Sequence, residues 1–178
     1  MPTVEDTSGL VGIASMVADA VGAALTDAGR PVDACDIDLE IPAAPSGDAC
    51  SLVSVCLVGL SRQDPNTGTL VGITEQGHWA TRGWARWLAA YTVTIVRCVQ
   101  SDPDGGSLQN HDDAITLGSD LWLIANLLKQ GHQTGSLFDP LNEWVFDGAQ
   151  PVHNQGGYAG WQIAFRLSVD SLPTPLVS

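Results

Sequence analysis

The sequence predicts an α+β fold, in which a mainly antiparallel sheet of about four strands carries two helices packed on one face. Three observations predict it. Apolar residues recur at helical spacing in two segments, strict alternation marks the last strand, and strands occur in runs rather than alternating one by one with helices. The predicted order is α-β-β-β-α-β. At 178 residues, the chain is expected to form a single domain, 1–178, because two cores would be a tight fit.

The first helix is predicted over residues 9–28, after a polar segment, 1–8, that is expected to be flexible. Its apolar positions have helical spacing, and Gly29 stands where the helix should stop: Leu10, Ile13, Val17, Val21 and Leu25. Alanines and glycines make this helix thin, so we expect it to pack closely on the sheet.

Three strands are predicted next. Residues 36–41 alternate with an acidic outer face, residues 50–61 are apolar on both faces and so predict a central strand, and residues 87–99 form a long alternating strand. The segment 62–86 between them has no assignable pattern and is interpreted as a loop-rich insertion.

The second helix is predicted over residues 108–130. Asp112 and Asp113 are favourable at its positive N-terminal end, and Lys129 is favourable at its C-terminal end. Gly131 is expected to end the helix. Gly118 is expected to mark a close backbone contact. The predicted buried stripe is Ala114, Leu117, Leu121, Ile124 and Leu128.

The segment 131–158 is interpreted as a second loop-rich insertion, and 171–178 as a C-terminal arm. Between them lies the clearest strand of the sequence, with one buried and one solvated face. The residues expected to face the core under the helices are Trp161, Ile163, Phe165, Leu167 and Val169.

The charge balance argues against nucleic-acid wrapping and for permanent protein contacts. Twenty acids against seven bases give a net charge of −13, whereas neutralising phosphates requires Lys and Arg. Charged residues make up only 15% of the chain, so much of the surface must be uncharged or apolar.

The four cysteines are expected to be free thiols in the cytoplasm. The N-terminus MPTVEDTSG has no basic signal-peptide region, and no apolar run is expected to reach the length of a membrane span. Cys56 and Cys98 are interpreted as core residues of neighbouring strands, while a Cys35–Cys50 bridge stays open.

No catalytic, cofactor or metal site is expected. A small metal-dependent enzyme could use His111, Asp112 and Asp113 with His132 or His153, but no HExxH pattern or clustered ligand spacing supports it. The six tryptophans could stack on sugars or bases, but anchoring a subunit interface is the favoured interpretation. The interface candidates are Trp79, Trp84, Arg86 and Trp144.

Four stretches carry a family resemblance: VADAVGAALTDAGRPV, WLAAYTVTIVRCV, DDAITLGSDLWLIANLLK and GWQIAFRLSVD. In this layout the chain resembles the tail terminator and related head-to-tail connector (neck) proteins of siphophages infecting actinobacteria. The resemblance implies a structural virion protein, not an enzyme, that forms a hexameric ring capping the tail tube. Its implied partners are further copies, the tail tube protein, a head-side connector or stopper protein, and genomic DNA passing unbound through the lumen. The segments 62–86 and 131–158 would then make inter-subunit or head-side contacts.

An acidic channel wall would let the genome slide, because it repels phosphate. The candidate channel-lining residues are Asp36, Asp38, Glu40, Asp102 and Asp104. The alternative is that these acids face bulk solvent or pair with a neighbour's arginines. Alternative functions are a head-side adaptor or stopper and a tail tube subunit. We expect an adaptor to be mostly helical, a stopper to be a small β-barrel and a tube subunit to be a larger β-sandwich.

Overall fold

The structure, a computed structural model, describes residues 9–38, 49–63, 70–71, 86–99, 111–155 and 157–169. These ranges contain two helices and six strands. In chain order they are α1 (Leu10–Asp27), β1 (Ala34–Asp38), β2 (Ser51–Gln63), β3 (Leu70–Val71), β4 (Arg86–Cys98), α2 (His111–Thr134), β5 (Trp144–Gln155) and β6 (Tyr158–Val169).

The strands form one mixed sheet. Its order is β1-β2-β4-β6-β5, and the two-residue β3 pairs with β2. β1 runs parallel to β2, and the other described pairings are antiparallel. The α+β class is therefore confirmed, whereas the expected strand count of about four was too low and the sheet is not wholly antiparallel. β2 is central, as predicted, and side chains on both of its faces are buried, including Val53 and Ser54.

The core lies between the sheet and the two helices. The fully buried side chains of the sheet include Val55, Tyr91 and Phe165, which share the face that the helices cover. The rings of Tyr91 and Phe165 stack with their centroids 5.3 Å apart. The predicted inward face of the last strand is confirmed at Ile163, Phe165 and Leu167, which are buried, while Trp161 and Val169 are half-buried.

α1 ends in a motif that requires a glycine. The Gly29 N–H donates to the Thr26 carbonyl and the Arg30 N–H to the Leu25 carbonyl, and Gly29 has a φ of 72°. The helix lies close to β1, as its small residues predict, because a Cβ added at Gly22 would lie 2.7 Å from Cys35 Sγ. A side chain at position 22 would therefore require the Cys35 side chain or α1 to shift.

α1 is also long and apolar enough, by length and composition alone, to cross a membrane, with mean hydropathy 1.5 over its 18 residues. The expectation that no apolar run reaches that length was wrong. Core helices of sheet proteins share this composition, and here Val17, Val21 and Leu25 are completely buried against the sheet and α2.

α2 departs from prediction in three respects. It continues past Gly131 to Thr134, and the chain turns at Gly135, whose φ is 73°. Gly131 packs against Leu137, whereas Gly118 has open space where a Cβ would be, so the expected close contact at Gly118 was wrong. Leu117, Ile124 and Leu128 are buried and Leu121 half-buried as predicted, but Ala114 is exposed.

β5 corrects the interpretation of 131–158 as loop-rich. This strand does not alternate cleanly, because its register shifts between Phe146 and Gly148, where Gly148 has a φ of 128°. It also contains Pro151, which lacks an N–H and is tolerated because β5 is an edge strand. Both features hide the period of two on which strand prediction depends.

Candidate interaction surfaces

An apolar surface extends along the β5 edge of the sheet. Trp122 on α2 is 70% exposed and Leu141, in the turn before β5, is 85% exposed. Ile115 on α2 and Phe146 on β5 are also among the exposed large apolar side chains. We call these four residues the α2–β5 surface. Large apolar side chains left exposed are candidates for protein contacts.

His132 and Trp144 pack against each other between the end of α2 and the start of β5. Their rings stack with centroids 5.9 Å apart, and His132 Nε2 lies 2.8 Å from the carbonyl oxygen of Asn142. Trp144 in turn contacts Phe146, with ring centroids 6.4 Å apart. Because an α-helix repeats every 3.6 residues, Trp122 lies nearly opposite the buried residues Asp120 and Ile124 and therefore faces away from the sheet.

A second apolar surface occupies the opposite edge of the sheet. Val11, in the first turn of α1, is 65% exposed, and Ile37 on β1 and Val58 and Leu60 on β2 are exposed as well. We call these four residues the α1–β2 surface. α1 begins near Tyr91, whose hydroxyl donates to the Leu10 carbonyl at 3.1 Å. β2 pairs with Tyr91 at Leu57 and continues beyond it, so Leu60 lies past the start of the helix.

Exposed acids border both surfaces, among them Asp139 and Glu143 beside Leu141, and the α2–β5 surface also has one cation. Lys129 lies two turns beyond Trp122 on the same side of α2 and is exposed. Among the basic side chains that the structure describes, the three arginines Arg30, Arg97 and Arg166 are in ion pairs and Lys129 is in none. At the other edge Asp19 is exposed on α1. Burial raises the pKa of the Cys35 thiol, and the negative charges of Asp19 and Asp36 raise it further.

A buried ion cluster fixes α2 against the rest of the fold. Asp120 on α2 is completely buried. Its Oδ2 atom lies 2.5 Å from Arg97 Nε, and its Oδ1 atom lies 3.0 Å from Arg30 Nη1. The contact with Arg30 is an ion pair without hydrogen-bond alignment. Arg97 also donates to the carbonyls of Pro31 and Arg30 at 3.2 and 2.8 Å. The cluster therefore joins α2, β4 and the turn after α1, and fixes the positions of the two helices relative to each other.

Two cysteines pair where the start of β2 lies beside the end of β4. Cys50 and Cys98 form a disulfide, with Cα atoms 4.9 Å apart, and the Cys98 N–H donates to the Cys50 carbonyl at 2.6 Å. The interpretation of Cys98 as a core residue was therefore wrong, and Cys35 is free rather than bridged to Cys50. Cys56 is buried in the core, as expected, and forms no disulfide. The register that places residue 98 opposite residue 50 cannot be read from cysteine spacing.

Of the predicted interface residues, Trp144 is half-buried at the start of β5 and contacts the α2–β5 surface. Trp79 and Trp84 lie outside the described residues, and Arg86 begins β4 with its side chain outside that description. Trp122 and Phe146 were not singled out from the sequence. Trp122 could have been found, because it falls outside the buried stripe predicted for α2.

Of the predicted channel acids, Asp36 is exposed on β1, and Asp38 ends the same strand with its side chain outside the description. Glu40, Asp102 and Asp104 lie outside the described residues.

The structure separates two histidines of the metal hypothesis, His111 and His132, while the side chain of His153 lies outside the description. His111 and His132 stand at opposite ends of α2, about 30 Å apart at 1.5 Å per residue, so they cannot share an ion. Within the described ranges no group of three or more His, Cys, Asp or Glu side chains could hold a metal. Asp112 and Asp113 occupy the first turn of α2, where the helix dipole favours acids.

Comparison with known proteins finds no matching family model and no significantly similar curated protein.

Proposed function

We propose that this chain is a structural subunit of a ring in the neck or tail end of a long-tailed phage, with tail terminator as the favoured role, and that it is not an enzyme. The observation that carries the proposal is the pair of apolar surfaces at opposite edges of one sheet. Permanent assemblies bury surfaces of this kind, whereas a solitary protein gains nothing from exposing them.

The architecture favours a terminator over the other neck roles. Two helices on one face of a sheet agree with the α+β fold that the resemblance implies for terminators. An adaptor would be mostly helical, a stopper would be a small β-barrel, and a tube subunit would be a larger β-sandwich. A metal site that joins His111 and His132 is disfavoured by the distance between the ends of α2.

The proposed ring is a hexamer in the virion, and assembly on a tube end is part of the proposal. The purified chain is added to growing siphophage tail tubes, and their ends are imaged by electron microscopy. We expect ring density at one tube end and arrest of tube growth, with tubes that received no protein continuing to elongate. Unchanged elongation with bare ends would contradict the terminator role.

The acidic residues give the proposal a second test. Asp36 is exposed, which is compatible with a channel wall. In a ring structure, at least some of Asp36, Asp38, Glu40, Asp102 and Asp104 should line the lumen. If they do, replacing them with lysine should slow DNA ejection without preventing ring formation, because the positive side chains would attract phosphate. An outer-rim position for all five would contradict the channel hypothesis.

A further inference from the structure

We propose that Cys50 and Cys98 form a redox clasp that locks one end of the sheet, and that Asp33 positions Cys50 for closing of the bond. A low-molecular-weight disulfide such as oxidised glutathione closes the clasp after the chain has folded, and a thiol reductant opens it again. The inference concerns the chain by itself and holds whether or not the chain forms a ring.

The backbone pairing of β2 and β4 brings the two cysteines together before any bond forms. Ser51 pairs with Arg97 in an antiparallel register, so the preceding residue, Cys50, lies opposite Cys98. The Cys98 N–H donates to the Cys50 carbonyl at 2.6 Å, and the two Cα atoms are 4.9 Å apart, within the range that a disulfide spans. Because these contacts belong to the backbone, the thiols of the reduced protein lie within reach of each other.

Both cysteines are accessible to a small reagent, because Cys50 and Cys98 are exposed. One cysteine thiolate attacks the small disulfide, which forms a mixed disulfide and releases one small thiolate. The other cysteine thiolate then attacks the protein sulfur of the mixed disulfide, which forms the Cys50–Cys98 bond and releases the second small thiolate. The released thiolates take up the two thiol protons, so the cysteine pair loses two electrons and the small disulfide is reduced to two thiols.

Asp33, just before β1, holds the backbone of Cys50 in place. Its Oδ2 atom accepts hydrogen bonds from the Cys50 N–H at 2.8 Å and from the Ser51 hydroxyl at 2.9 Å. The Asp33 N–H donates in turn to Ser51 Oγ at 2.9 Å. Strand ends fray unless they are held, and Cys50 directly precedes β2. These hydrogen bonds therefore keep Cys50 opposite its partner in the reduced protein as well as in the oxidised one.

The clasp lies beside the ion cluster that fixes α2. Cys98 directly follows Arg97, whose guanidinium holds Asp120. The next residue, Val99, donates its N–H to the Gly157 carbonyl at 2.8 Å, in the turn before β6. The end of β4 is thus joined to α2 and to the start of β6, and the closed clasp prevents it from separating from β2. With the clasp open, hydrogen bonds alone hold this end, so local opening should become more frequent.

Closing of the clasp is measured in a Cys35→Ser background, in which the exposed thiol of β1 cannot react. The purified protein is equilibrated in glutathione buffers of graded oxidation, and acid-quenched samples are mapped by mass spectrometry. We expect an internal Cys50–Cys98 bond without accumulated mixed disulfide. The midpoint gives the effective concentration of one thiol for the other. Stable glutathione adducts at Cys50 or Cys98 in place of the internal bond would overturn the clasp.

Three variants at exposed positions test the role of Asp33. Asp33→Ala removes the acceptor and should lower the effective concentration about fivefold, which corresponds to one hydrogen bond of about 1 kcal/mol. Asp33→Asn keeps an oxygen acceptor without the charge, and Asp36→Ala removes an exposed acid of β1; both should stay within about twofold of the parent protein. An unchanged value in Asp33→Ala, or an equal loss in Asp33→Asn or Asp36→Ala, would overturn the positioning role.

Amide hydrogen exchange tests whether the lock is local. Reduction should speed exchange of the Cys98 amide about tenfold or more, because this amide lies at the end that the clasp holds. The Ser168 amide, which donates to the Glu143 carbonyl at the opposite end of β6, should change far less. The same reductant should change neither amide in a protein that carries both Cys50→Ser and Cys98→Ser. Unchanged exchange at Cys98 on reduction, or an equal increase at both amides, would overturn the local lock.

Discussion

Asp120 and Arg97 form a carboxylate–guanidinium pair with Oδ2 and Nε 2.5 Å apart, in which the acid has no exposed surface. The pair links the middle of α2 to the end of β4, next to the Cys50–Cys98 disulfide. Removing one member of a buried pair leaves the other charge without compensation in a poorly solvated site, which costs more than the pair itself contributes.

Asp120→Asn is therefore expected to lower the free energy of unfolding by about 3–5 kcal/mol. Chemical denaturation measures the change. The matched control is Asp147→Asn, which removes a partner of Arg166 from a pair with about a third of each side chain exposed. The control should cost about 1 kcal/mol or less, because solvent screens such pairs. Equal losses in the two variants would contradict the structural role of the Asp120 cluster.

Phe165 provides a test of the core. It is fully buried between β4 and the helices, stacked on Tyr91 and 5.7 Å from the ring of Phe138. Phe165→Ala should cost about 3–5 kcal/mol of unfolding free energy, from lost transfer energy and the cavity that remains. Phe146→Ala, at an exposed position on β5, should cost far less. A loss at Phe146 as large as that at Phe165 would show that Phe146 is buried rather than exposed.

The Cys50–Cys98 disulfide predicts a dependence of stability on oxidation. In a reducing cytoplasm these cysteines should be thiols, and they should pair once the protein meets an oxidised low-molecular-weight disulfide. With a sequence separation of 48, the bond should raise the free energy of unfolding by roughly 2–4 kcal/mol. Mass spectrometry should show the loss of two hydrogen atoms, and Cys35→Ser should not change it. Alkylation of Cys50 and Cys98 in the folded, oxidised protein would rule the bond out.

Asp33 predicts a dependence on pH. Hydrogen bonds from Ser51 Oγ at 2.9 Å and the Cys50 N–H at 2.8 Å lower the pKa of Asp33 from its ordinary value of 3.8. A depressed folded-state pKa contributes stability that is present above the unfolded pKa and is lost as the pH falls through the folded one. Carboxyl NMR should find Asp33 titrating below 3.8, and Ser51→Ala should raise that value. Titration at or above 3.8 in the wild type would contradict the geometry.

The helices and the strands β2, β4 and β6 could be predicted because their apolar residues follow one period over many positions. The central place of β2 followed from its apolar faces, and the inward side of β6 from strict alternation. β5 escaped because Gly148 shifts its register and Pro151 resembles a loop residue. α1 is shorter by one residue at each end than predicted. In α2, Gly131 does not end the helix but packs against Leu137.

The candidate sites were harder to predict, because they depend on contacts between distant segments. Asp120 looks like any solvated helix acid until the fold places Arg30 and Arg97 around it. Cys98 meets Cys50 only through the β2–β4 register. Trp122 and Leu60 belong to two separate surfaces only because the strand order sends β5 and β1 to opposite edges.

The central claim is that this chain assembles with itself into a closed ring. A native mass spectrum of the purified chain across a range of concentrations, with and without tail tubes, tests that claim most directly. The account predicts a single closed species, six copies of the 18.7 kDa chain, with no open series of two, three and four. A monomer at every concentration, both alone and with tubes, would contradict it.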